Sequence, residues 1–204
     1  MRSLVLGFLI CVSAGFVSAQ NSIRQVDFKN FSYPLKDYLL GHSELKWLSA
    51  QVAGSPKLLT IQLRDGKNLQ KEPIGKIGDG GYYEVSGFTL REVKYADLTG
   101  DGKEDAIVVL SYQSGGTQGT NYIYNYTLDA GKPKLLAYCH TGDRAYSGLY
   151  KVYGQHGLLV VELLDPEKQM GDCCSAGFIR TRYRWSDGRF QAVGKPVHGA
   201  MPAQ

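Results

Sequence analysis

The sequence predicts an all-β protein, mainly an antiparallel meander, closed as a sandwich or as a partial barrel or propeller-like sheet. Three observations carry this expectation. Apolar and polar residues alternate with period two along most of the chain, which is the repeat of a half-buried strand. Turn signals recur at the spacing of about 8 to 12 residues typical of antiparallel strands. Gly at 25 and Tyr at 14 residues shift the composition toward turns and strands. The 204 residues, 43% hydrophobic and 21% charged, suit one domain with a proper core and exclude disordered and fibrous classes. A formal charge of +4 is too small to announce a nucleic-acid or anionic-membrane partner by itself.

The elements follow in order. Arg2, the apolar run Leu4 to Val12 and the small-residue pattern Val17-Ser18-Ala19 read as an export signal cleaved after Ala19. Residues 20–204 are then the secreted or periplasmic domain. Ser13, Gly15 and Ser18 interrupt the run below the ~20 apolar residues that a membrane anchor needs, and no later segment approaches that length. Tyr33 to Leu48 carries a helical hint, weakened by Gly41. Residues 45–53 and 57–63 read as strands, the second closed by Asp65-Gly66, and Lys67 to Gly81 reads as a long loop. Strands are then expected over Phe88–Ala96, Asp105–Tyr112, Asn121–Leu128, Lys134–His140, Gly148–Tyr153, Leu158–Leu164, Phe178–Trp185 and Arg189–Val193. Ser186-Asp187-Gly188 between the last two is a hairpin signal, because Asp-Gly accepts the positive φ of a type I′ turn.

Once Cys11 leaves with the signal, Cys139, Cys173 and Cys174 remain, an odd number for an oxidising compartment. Neighbouring cysteines rarely bond each other, so the plain reading is one bridge from Cys139 to Cys173 or Cys174 with one thiol left over. A redox pair or soft-metal site at Asp172-Cys173-Cys174 is the sharper alternative.

The segment richest in chemistry is Asp97-Leu98-Thr99-Gly100-Asp101-Gly102-Lys103-Glu104-Asp105. Side-chain oxygens of Asp97, Thr99, Asp101 and Asp105 stand at loop positions 1, 3, 5 and 9, with Gly102 at the sharp turn and the Lys103 carbonyl at position 7. That spacing suits Ca²⁺, which takes six to eight oxygens at about 2.3–2.6 Å, better than octahedral Mg²⁺. The bland alternative is an Asp- and Gly-rich hairpin that binds nothing. The residues disfavour an EF-hand, because its position 12 falls on Val108 and the flanks read as strands. These nine residues resemble the Asp-x-Asn-Gly-Asp-Gly-x-x-Asp calcium loop of FG-GAP and VCBS-type β repeats, which joins two strands. Thr99 replaces the usual Asn or Asp, which implies weaker binding, and the single copy does not support a seven-bladed propeller. The segment Asp172-Cys173-Cys174, Arg182-Tyr183-Arg184-Trp185 and Gly188-Arg189-Phe190 is similar to the tails of bacterial secreted proteins of the LppP/LprE-like lipoprotein group, a resemblance that implies no particular activity.

Two rows remain. Arg180, Arg182 and Arg184 share one strand face by alternation, and Arg189 joins them across the hairpin. They read either as a patch for anions or as a solvated face paired with acids such as Glu162 on the neighbouring strand. Tyr122, Tyr124 and Tyr126 share another face, read either as a stacking platform for sugars or proteins or as one wall of the core. No nucleophile elbow, zinc-helix, phosphate-loop or dinucleotide motif occurs, and His42, His140, His156 and His198 lack metal-ligand spacing. The sequence therefore favours a secreted, non-enzymatic β domain with a structural Ca²⁺ loop, binding an extracellular protein or glycan. The alternative is an exported hydrolase or thiol-redox protein, with a site near His140, Asp143, Arg144 and the Cys173-Cys174 loop, and with Asp143, Glu162 or Asp165 as candidate acids.

Overall fold

Alternation stops at Ala106-Ile107-Val108-Val109-Leu110, an unbroken apolar run. A strand without a polar side has to be covered on both faces. The protein was analysed as a computed structural model that describes residues 21–36, 48–49, 58–74, 82–114, 119–171 and 173–202. There the run lies in β6 (Asp105–Ser114), inside a six-stranded antiparallel sheet. The sheet order is β2 (Leu48–Ser49), β8 (Lys132–Asp143), β7 (Gly119–Asp129), β6, β5 (Tyr82–Ala96) and β4 (Lys67–Ile74).

Each face of this sheet carries its own core. Ala106, Val108 and Leu110 point to one side, with Tyr124, Tyr126 and Tyr138 of the neighbouring strands. They are covered by short 3₁₀ turns at Ile23–Gln25 and Phe28–Asn30 and by the pair β1 (Ser32–Lys36) and β3 (Leu58–Gln62). Ile107 and Val109 point to the other side, with Ile123, Ala137 and Cys139. That side packs on a second antiparallel sheet of order β14 (Arg189–Ala192), β13 (Gly177–Ser186), β10 (Leu158–Leu164) and β9 (Leu149–Gln155), with β15 (Val197–Ala200) paired to β13. The short ladder β11 (Gln169–Met170) with β12 (Cys174–Ser175) completes the pairings. The two large sheets meet closely at Gly154, where an added Cβ would fall 2.1 Å from the Cβ of Ala96.

The all-β, antiparallel architecture expected from the sequence is therefore present as a layered sandwich, and among the described residues neither large sheet closes into a barrel. The hairpin signal at Asp187-Gly188 holds, with φ of 53° and 73°, and Asp65-Gly66 turns the same way at 53° and 77°. Two expectations are corrected. The start of the helical hint, from Tyr33, belongs to the strand Ser32–Lys36, because pairing with β3 buries Tyr33 completely. The long loop from Lys67 begins as β4, a polar edge strand with a proline that pairs with β5 on one side only. The export signal at 1–19, residues 37–47 of the helical hint and most of the strand at 45–53 lie outside the described residues, and the hint's last residue, Leu48, belongs to β2. No helix among the described residues is long and apolar enough to cross a membrane.

Candidate functional site

The loop from Asp97 to Asp105 joins β5 to β6, as a strand-to-strand calcium loop does. Its shape comes from its own aspartates. Asp97 accepts from the Gly100 amide at 2.6 Å through Oδ1 and from the Gly102 amide at 2.9 Å through Oδ2. Asp101 accepts from the Lys103 amide at 2.9 Å. Asp105 Oδ2 accepts from the amides of Leu98 at 2.8 Å and Thr99 at 2.9 Å. Gly100 and Gly102 sit at φ of 77° and 80° in open space, so their glycine requirement is conformational and not one of room. Arg24 grips the loop from outside by a bidentate bond to Glu104, 2.7 Å at Nη2, and stacks over Tyr95 at 4.4 Å.

Depth separates the predicted ligands. Asp101 and Lys103 are exposed, Asp97 and Thr99 are half-buried, and Asp105 is fully buried. Among the described residues no three His, Cys, Asp or Glu side chains converge as a metal-holding group. Two oxygens nevertheless remain without a hydrogen bond: Thr99 Oγ1 and Asp105 Oδ1, at loop positions 3 and 9. Burial pushes the Asp105 carboxyl above the usual carboxylate range, against the pull of Thr127 and the Leu98 and Thr99 amides. The Thr127 and Thr99 side chains and the Leu98 and Thr99 amides all favour the charged Asp105 carboxylate at the loop base.

A cleft of about 480 Å³ opens beside the loop, lined by Thr99 and Asp101, by Leu128 and Lys134 from β7 and β8, and by Trp185 and Gly188 from the β13–β14 hairpin. Its size is that of a small-ligand site. Lys134 is already paired with Asp129 at 2.8 Å across the rim. This cleft has no signature in the sequence, because its walls come from segments far apart in the chain.

The cysteine expectation is corrected. Cys139 is a free thiol buried in the core on β8, whereas the exposed Cys173 and Cys174, where β12 begins, stand at disulfide distance from each other. Period two explains the first point, since Cys139 follows core-facing Tyr138 and points into the opposite core. The tyrosine row is a wall of the core: Tyr124 and Tyr126 are buried, and Tyr124 donates to the Pro34 carbonyl at 3.0 Å. It offers no exposed stacking platform. The alternative catalytic set is dispersed into structural contacts. His140 lies against Tyr122 with ring centroids 5.9 Å apart, Asp143 accepts from the Gly119 amide at 2.8 Å, and Arg144 lies 4.0 Å from Asp143. Glu162 is taken up by Arg180 at 2.7 Å and the Tyr153 hydroxyl at 3.1 Å.

One pair escaped the sequence reading. Asp165, fully buried, lies 2.8 Å from His198 Nδ1 and accepts from the Glu167 amide at 3.0 Å. The partners are 33 residues apart, and no spacing rule reaches across that distance. No protein-family model, curated protein or solved structure matches the chain.

Proposed function

We propose that this chain is an exported, non-enzymatic β domain whose Asp97–Asp105 loop takes up Ca²⁺ as a structural staple. In the same reading it acts as an envelope-associated or extracellular binding module, with the cleft beside the loop as a place where a protein or glycan docks. The observation that carries it is a strand-to-strand loop already ordered by its own amides, with Thr99 Oγ1 and Asp105 Oδ1 buried at two of its ligand positions. Asp97, Thr99, Asp101, Asp105 and the Lys103 carbonyl would hold the ion. The ion would supply positive charge where aspartates crowd one bend, and this stabilises the native state by mass action.

Thermal melting with calcium and with chelator tests the reading. At roughly 100 times the dissociation constant, binding adds about 2.7 kcal/mol, a rise of roughly 5–10 °C in a domain of this size. Asp101→Ala removes an exposed side chain, so the chelated variant is expected to melt near wild type while the calcium-dependent rise disappears. Identical wild-type melting in calcium and chelator would sink the staple.

The exposed Cys173–Cys174 pair supports a second reading, thiol-redox chemistry at that loop. It requires both sulfurs to be released as thiols with the fold intact.

A further inference from the structure

The outward face of the five-stranded sheet concentrates charge of one sign. Strand register places Arg180 opposite Glu162, Arg182 opposite Val160, Arg184 opposite Gln191 and Arg189 opposite Ser186, so all four arginines share a face. Lys151 joins them through its pairing with Glu162. Against them stand Glu162, consumed by Arg180 and Tyr153, and Asp187 in the hairpin turn, which accepts from Ser186. Among the described residues Arg182, Arg184 and Arg189 form no ion pair. Alternate residues on a strand lie about 6.7 Å apart, so Arg182, Arg184 and Arg189 repel one another along the row.

We propose that this face binds a linear acidic polysaccharide. From residue 180 to the hairpin the row runs for roughly 20 Å along one strand at about 3.3 Å per residue. It presents planar forks that match carboxylate or sulfate groups two bonds at a time. A bilayer is the poorer fit. The row is a line and not a disc, and Val197, opposite Arg180, is its one neighbour among the large exposed apolar residues. A second copy of the chain is opposed by like charge meeting like charge. The proposal rests on the reading of the chain as an exported binding module, and it does not depend on the calcium loop.

Heparin is the probe, titrated in chelator so that the fate of the calcium staple leaves the result untouched. Wild type is expected to bind saturably, with affinity that falls as salt rises. The double variant Arg182→Glu, Arg184→Glu is expected to lose at least about tenfold in affinity, whereas Lys71→Glu, Lys132→Glu, with the same change in net charge at remote exposed sites, retains it. Melting of each variant is read first; if the double reversal misfolds, the exposed pair Arg184→Gln, Arg189→Gln carries the comparison. Absence of heparin binding, equal loss in the remote variant, or equally tight and arginine-dependent binding of phosphatidylglycerol vesicles or single-stranded DNA would each overturn the proposal.

Discussion

Cys139, Cys173 and Cys174 show how much a single residue's surroundings decide. Burial pushes the Cys139 thiol well above its ordinary range and seals it between two sheets, which makes it unreactive in the folded protein. Cys173 and Cys174 sit exposed where the short strand β12 begins. In protein made without residues 1–19, and so without Cys11, a thiol-reactive chromophore added to the native, unreduced form is therefore expected to find no thiol, and after denaturation one, from Cys139. Mild reductant is expected to raise the native count by the two exposed sulfurs. A thiol that titrates in the native unreduced protein, or three after denaturation alone, contradicts the assignment. The contrast with the Asp97–Asp105 loop explains what the sequence could reveal at this scale. Loop chemistry is local: an Asp reaches an amide three to five residues away, so the glycine and aspartate pattern was readable. Cysteine pairing depends on which sheet face each sulfur meets, and that is decided by strands outside the local window.

At the scale of elements, apolar strands were legible, the edges β9 and β14 among them, and the polar edge β4 and the tail strand β15 were not. β6, β7 and β10 announce themselves by apolar residues that both faces demand, whereas β4 is polar and contains Pro73 because it pairs on one side only. The tail strand β15 is another edge, and its anchorage is electrostatic as well as backbone. Its residue His198 meets buried Asp165 at the end of β10. Burial alone would raise the Asp165 carboxyl, but the bonds from His198 and the Glu167 amide hold it below its ordinary 3.8. A carboxyl depressed in the folded state contributes stability that is complete above the unfolded pKa and is lost as pH falls through the folded one. Wild type and Asp165→Asn are therefore expected to differ most in melting temperature near pH 6 and to converge toward pH 3. A constant gap across that range would show that the pair adds nothing through its charge.

The whole molecule turns on one strand that serves two cores. Val108 lies in the core under the N-terminal segment, and its neighbour Val109 lies in the core against the second sheet; both are fully buried. Because adjacent strand residues take opposite faces, neither core can lose its central sheet without the other losing it too. By sequence, residues 105–112 read as one more strand of the meander; their double burial and the segments that supply the two covers came with the structure, since β1 and β13 are far from β6 in the chain. The arrangement predicts cooperative unfolding. Val108→Ala and Val109→Ala each remove two buried methyl groups and leave a cavity, a loss of about 1.5–3 kcal/mol, and in a domain of this size each lowers the melting temperature by roughly 3–10 °C. Calorimetry is expected to show one transition in both variants, displaced as a whole. The double variant should fall short of or exceed the sum of the single effects, because neighbours on one strand share backbone adjustments. Two separated transitions in either variant, with only one of them displaced, would mean that the two faces fold independently and that β6 does not couple them.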